Sequence, residues 1–354
     1  MSSQEAVVFI PGLSVREEGF YLELLGAGLI EQIESNRVQL TGDVTIEGNQ
    51  GKQFKVLTDL DRTKIVDVYE LYWGHLVFKL SDRNLKERML SGTRLLFYWF
   101  FSRTWMCFRE SPALFFSAIV GAIFFIAWYY GTLALVFAAI GEDPDFLGIA
   151  LNSQWAEYLG NIGSAMGGWS IWLVINGFIE FFPLNVAIDI MYFAMKYIEE
   201  DSSSRVLRAK IRNRIFSVID SINKTGTYDK ITIVGHSFGV MVAVDFLGEY
   251  RGSQSVQFIA LGGPLKILSY KESWIEREIQ KCLENDRVDT WHDFYSDRDW
   301  LCTKTPIPNG SPKTNKIQYH RNPLPYSIIK QLSGKSHLHY FTDSSVLRTI
   351  LGLD

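Results

Sequence analysis

The feature that most constrains this chain is a long stretch without a single positive charge. From Glu110 to Met195 there is no Lys and no Arg. With 35 of them among 354 residues, simple proportion places about 8 or 9 in a stretch of that length. Two segments inside it carry no formal charge at all, Ser111 to Ile140 and Tyr158 to Ile179. A helix crossing a bilayer needs about 20 mostly apolar residues, so each is long enough. The spacing predicts transmembrane helices over about 112–140 and 158–180. The second is diluted by Asn161, Ser164, Ser170 and Asn176.

The flanks orient this hairpin. Lys79, Arg83, Lys86, Arg88, Arg94, Arg103 and Arg109 precede it, and Lys196, Arg205, Arg208, Lys210, Arg212 and Arg214 follow it. The connection from Gly141 to Glu157 is acidic only. Positive charge stays on the cytoplasmic side, so the expectation is a multi-pass membrane protein whose bulk faces the cytoplasm. The competing reading is a buried helical hairpin in a large lid. Aromatic, sparsely charged segments at 95–108 and 184–198 suit either the headgroup layer or core packing. The whole insertion is expected to span 95–200. Gly160, Ser164 and Gly168 recur at four-residue spacing, as do Gly163 and Gly167. Such a face lets another helix approach, within the hairpin or in a homo-oligomer.

Composition excludes other classes. A net charge of −4 with 21% charged residues leaves no electrostatic footprint for nucleic acid. Three widely separated cysteines, Cys107, Cys282 and Cys302, fit neither a disulfide framework nor zinc spacing and suit a reducing compartment. Met-Ser-Ser-Gln-Glu and the short apolar run Ala6–Ile10 do not read as a secretory signal.

Outside the insertion the pattern is α/β. Ala6–Ile10 reads as a buried strand ending at Pro11-Gly12, and a helix over Phe20–Glu34 places Leu22, Leu25, Leu29 and Ile33 on one face. Val38–Leu57, turning at Gly48-Asn49-Gln50-Gly51, reads as a β-hairpin excursion, and Ile65–Tyr69 as another strand. Ser204–Ile222 is an amphipathic helix with the Ser202–Ser204 run as its cap. Then Ile231-Thr-Ile-Val234 leads directly into Gly235-His236-Ser237-Phe238-Gly239 and another helix. A sharp strand-to-helix turn needs glycines two before and two after the serine. It lifts the hydroxyl above the sheet at the helix N-terminus. An inert serine in a tight turn is the plain alternative.

On these residues the chain resembles the α/β-hydrolase superfamily, in its lipase and serine-esterase branches, over 6–74 and 203–350. The resemblance implies a mostly parallel sheet flanked by helices, with residues 1–94 and 201–354 as its two parts and a two-helix transmembrane hairpin inserted between them. It makes Ala6–Gly12 the strand and turn delivering an oxyanion loop, Val256–Leu265 the next parallel strand, and Trp291–Trp300 the strand presenting the acid. The chain begins at the family's third strand, so the sheet is expected to lack the usual N-terminal hairpin.

The implied triad is Ser237 as nucleophile, His337 as base and Asp299 as acid, with Asp297 and His339 as rivals for the last two roles. Asp293 falls within the strand. Backbone N–H groups of Phe238 and Leu13 are the implied oxyanion donors. Ile10-Pro11-Gly12 stands where many relatives carry His-Gly. His75, His292 and His320 read as structural, and His236 as a neighbour of the site that need not titrate. His337-x-His339 lacks carboxylate or cysteine company, so no metal is expected, nor any cofactor. These residues suit a serine ester hydrolase using an acyl-enzyme route. Its place beside the hairpin points to membrane lipids as substrate. The alternative is an inactive hydrolase-fold membrane effector, or an oligomeric assembly or pore subunit.

Overall fold

The computed structural model describes residues 3–13, 17–34, 36–77, 83–100, 112–146, 148, 151–167, 184–299, 302–311, 314–323 and 335–353. The chain forms two units: Met1–Val77, Arg109–Leu114 and Tyr197–Asp354 make one, and Phe78–Phe108 with Phe115–Lys196 make the other.

The first unit is built on β1 (Ser3–Ile10), β2 (Val38–Ile46), β3 (Asn49–Leu57), β4 (Thr63–Glu70), β5 (Lys230–His236), β6 (Val256–Leu261), β7 (Val288–Tyr295) and β8 (Ile317–Arg321). These form one sheet in the order β2-β3-β4-β1-β5-β6-β7-β8. Pairings from β4 through β8 are parallel, while β2–β3 and β3–β4 are antiparallel. Residues 38–57 are therefore not an excursion. They supply the antiparallel edge of the central sheet, although they follow β1 in the chain. The unbroken apolar runs Ala6–Ile10 and Ile231–Val234 are the pattern of strands covered on both faces, and every one of these residues except Thr232 is an apolar core residue.

One face of the sheet is covered by α1 (Phe20–Gln32) and by α10 (Ser344–Ile350), whose Leu22, Leu25, Leu29, Val346, Leu347 and Ile350 pack with Phe9, Phe54 and Phe294. Other helices of this unit are α6 (Ser202–Thr225), α7 (Phe238–Leu247), α8 (Leu265–Ser269) and α9 (Trp274–Glu284). Helix α7 packs against both α6 and α9. The cap of α6 is Asp201, whose carboxylate accepts the Ser204 N–H at 2.7 Å, rather than the serine run itself. A carboxylate accepts this N–H more strongly than a hydroxyl and complements the helix dipole.

The second unit is helical: α2 (Leu85–Phe100), α3 (Pro112–Glu142), α4 (Ser153–Met166) and α5 (Leu184–Ile198), of which the last two residues belong to the sheet unit. Among the described residues, α3 alone is long and apolar enough to cross a membrane. Its window Phe125–Glu142 has a mean hydropathy of 1.4 and is 28% buried. Of the second expected span, the described part is the 14-residue α4, which ends at Met166 and is by itself too short to cross a membrane; residues 168–180 lie outside the described residues, as do 101–108 of the first aromatic segment. Helix α4 meets α3 at backbone contact: a Cβ on Gly141 would lie 2.6 Å from the Gly160 Cα, and one on Gly163 would overlap the Ala138 nitrogen. The close row is thus Gly160 and Gly163, while Ser164 is exposed. Three-residue spacing follows one face of the helix as well as four does.

Candidate active site

In open α/β sheets, sites form beyond the carboxyl ends of the strands, where the strand order reverses. Here that point is β1, which has β4 on one side and β5 on the other. Each singled-out loop leaves a strand at this end: Pro11-Gly12 after β1, Ser237 after β5, Gly262 after β6 and Asp299 after β7.

Ser237 occupies the step from β5 into α7 with φ 56° and ψ −127°, a conformation that side chains disfavour. Such backbone costs about 1–3 kcal/mol and persists only where its surroundings impose it. They do so on both sides, since the Ser237 N–H donates to the Leu261 carbonyl at 2.9 Å and its carbonyl accepts from Val240 N–H at 3.0 Å. The elbow glycines are needed for close packing. A Cβ on Gly235 would lie 2.9 Å from the Val240 Cα, and one on Gly239 would overlap the carbonyl oxygen of Ile10. Gly12 is as close to Ser237, for a Cβ there would lie 2.6 Å from the Ser237 Cβ. The turn carrying Leu13, itself buried, thus lies directly on the serine. Phe238 opens α7, so its N–H stands in the turn where a helix presents its positive end.

Four residues past β7, Asp299 is 1% exposed. Its Oδ2 accepts the His337 Nδ1–H at 2.8 Å and the Tyr340 hydroxyl at 3.1 Å. Because a carboxylate can only accept, the proton of neutral His337 sits on Nδ1 and the lone pair on Nε2. Among the described residues, that Nε2 is buried without a hydrogen-bond partner. The rivals have other company. Exposed Asp297 pairs with Arg321 at 2.5 Å, and His339 Nδ1 meets the Thr342 hydroxyl at 3.1 Å. Asp293 is fully buried within β7 and accepts the Thr305 N–H at 2.8 Å. His292 and His320 stack on each other, and His320 also stacks on Phe294.

His236 connects the two halves of the constellation. Its Nε2–H donates to the His337 carbonyl at 2.9 Å, and the two rings lie 4.7 Å apart. Burial, with nearby His337 adding to it, pushes its pKa down to about 3, so it stays neutral. The residue preceding Ser237 is thereby bonded to the His337 backbone, and among the described residues no hydrogen bond joins the Ser237 and His337 side chains. Such bonds often close only when substrate is present. Sequence reasoning missed three contributors: the Tyr340 hydroxyl on Asp299, the His236 bond to His337, and Trp73, whose indole N–H donates to the Pro11 carbonyl at 3.0 Å. Tyr340 stands inside the quoted His337-x-x-Tyr340 pattern, but there it counts only as an aromatic.

Two buried carboxyls make stability depend on pH. Desolvation pushes Glu70 and Asp293 up to about 7, against hydrogen bonds from Leu22 and Thr305 that favour the charged forms. A raised folded pKa means that the neutral acid is preferred in the native state. Its stabilising contribution is complete below the unfolded pKa and lost as pH rises through the folded one. The melting temperature is therefore expected to fall by a few degrees between about pH 5 and pH 8. Glu70→Gln keeps an acceptor for the Leu22 N–H and should flatten the curve. An unchanged slope in that variant would mean that Glu70 is already ionised at pH 5.

Comparison with family models, with curated proteins and with solved structures finds no match to this chain.

Proposed function

We propose that this chain is a membrane-associated serine ester hydrolase of the α/β-hydrolase type, with its two-helix insertion as the membrane anchor and membrane lipids as substrate. The observation that carries the reading is the His337–Asp299 pair at the same sheet end as Ser237, with the imidazole lone pair on a buried Nε2 that has no partner among the described residues. A base must offer such a lone pair to a serine hydroxyl, which is a poor nucleophile by itself.

In this reading Ser237 Oγ attacks the ester carbonyl carbon as His337 Nε2 takes its proton. Negative charge gathers on the former carbonyl oxygen, held by the N–H groups of Phe238 and Leu13. The tetrahedral species collapses, its C–O bond to the alcohol breaks, and His337 returns the proton to the leaving oxygen. Water, activated by the same imidazole, then attacks the acyl-serine and releases the acid. Asp299 holds the imidazole in one tautomer and stabilises its charged form without itself taking the proton. No step calls for a metal or a cofactor.

The lipid assignment is supported by α3, along which Ile119, Ile123, Ile126 and Leu135 are exposed, and by exposed Trp155 and Tyr158 on α4. Exposed apolar surface of this extent suits hydrocarbon, and Trp and Tyr suit its polar boundary. A second reading, an inactive hydrolase-fold effector or oligomeric subunit, draws on the missing Ser237–His337 bond.

Exposure of the full chain to a fluorophosphonate probe, in detergent and in liposomes, separates the two. The expected result is labelling of the native chain that vanishes in Ser237→Ala. A folded native chain that stays unlabelled in both media would favour the inactive effector.

A further inference from the structure

We propose that Trp73 and Tyr197 are positioning residues that hold the oxyanion-binding backbone beside Ser237, an inference that rests on the serine-hydrolase reading above. Trp73 lies four residues before Val77, where the first segment of the sheet unit ends, and Tyr197 opens its final segment. Both are 1% exposed, and both pack on Phe238, the residue that follows the nucleophile.

Each makes a directed contact in addition to packing. The Trp73 ring lies 6.4 Å from the Phe238 ring, and its Nε1–H donates to the Pro11 carbonyl at 3.0 Å. In a trans peptide the N–H points opposite to the C=O. Holding the Pro11 carbonyl therefore orients the Pro11–Gly12 peptide plane, one residue before the Leu13 N–H. The Tyr197 ring meets Phe238 edge-on at 5.2 Å, with 87° between the rings. Its hydroxyl donates to Asp245 Oδ2 at 2.9 Å, seven residues along the same helix. A helix returns to the same face after seven residues, so Tyr197 spans two turns of α7 and fixes Phe238 against them.

The segment behind Tyr197 is held at every carbonyl. Arg208 donates to the Tyr197 and Glu199 oxygens at 2.6 and 2.9 Å, and the Trp274 indole N–H donates to the Ile198 oxygen at 2.8 Å. The Arg208 guanidinium lies over the Trp274 ring at 4.4 Å. These are carbonyls that the end of α5 leaves without intrahelical partners, and the three bonds anchor that end, with Tyr197 in it, to the sheet unit. The two oxyanion donors thus come from separate loops, each braced by a residue outside the triad.

The test uses Trp73→Phe and Tyr197→Phe in the full chain. Each keeps a ring and removes one donor. Readouts are kcat and KM on a short chromogenic ester, normalised by active-site titration, and inhibition by an alkyl trifluoromethyl ketone. The tetrahedral adduct of that ketone uses the same donors as the reaction, whereas KM holds steady when acylation and deacylation, which both use them, slow together. Trp73→Phe is expected to lower kcat about tenfold with KM unchanged and to weaken the ketone by the same factor. Tyr197→Phe should do the same to a smaller extent, about threefold. Variants whose titrated sites keep native kcat and ketone affinity, whatever their melting temperature, would reduce both residues to core packing and overturn the inference. A native chain that is neither labelled at Ser237 nor inhibited by the ketone would overturn the hydrolase reading, and this inference with it.

Discussion

Asp299→Asn is expected to lower kcat by about four orders of magnitude with the fold retained. The substitution keeps the shape of a side chain that is 1% exposed, and the Tyr340 hydroxyl, which shares Oδ2 with His337, can accept from the amide NH2 that replaces it. The loss falls on His337. A carboxylate accepts from Nδ1–H, whereas an amide can turn its NH2 toward that nitrogen and favour the tautomer with its proton on Nε2. The imidazole would then face Ser237 with a donor where the reaction needs an acceptor. Asp299 also faces the positive charge that develops on the ring, and Asn offers no countercharge. Asp297→Asn serves as the control, because its carboxylate pairs with Arg321 and is exposed. Steady-state hydrolysis by the two variants, with circular dichroism to check folding, reads the difference. Equal loss in both, or none in Asp299→Asn, would remove Asp299 from the mechanism.

Gly239→Ala is expected to destabilise the sheet unit by about 3 kcal/mol and to abolish activity. The added methyl would meet the carbonyl oxygens of Ile10 and Pro11. These are backbone atoms at the end of the central strand, so no side-chain rotation can clear the space. Relief requires moving α7 away from β1, which also separates Ser237 from the Gly12 turn. A melting temperature lower by about 6–12 °C is the corresponding shift. Gly42→Ala is the matched control, since a Cβ there meets nothing within 4 Å. Equal behaviour of the two variants would show that the close approach at Gly239 is not required.

How far the sequence reads correctly depends on how local the cause is. Gly235-His236-Ser237-Phe238-Gly239 identifies its own turn because the clash that Gly235 avoids, with Val240, lies within a few residues, although Gly239 makes room for Ile10 of a distant strand. The apolar runs of β1 and β5 identify buried strands for a similar reason. Residues 38–57 read properly as a hairpin, yet no local signal says that it pairs with β4 and completes the sheet. The serine run that opens α6 looks like a cap, but Asp201, one residue earlier, supplies the better acceptor.

The sequence by itself determined the α/β class, the position of the serine elbow and the 86-residue span from Glu110 to Met195 without Lys or Arg. Each follows from short-range sterics or from hydropathy summed along the chain. Only the tertiary structure decided that Asp299 rather than Asp297 meets His337, and that Tyr340, His236 and Trp73 hold the surrounding groups. Two aspartates separated by one residue are nearly equivalent as sequence. Which one turns inward depends on the path of the loop after β7, and that path is set by packing against residues some 40 positions away, such as Tyr340, whose hydroxyl bonds to Asp299.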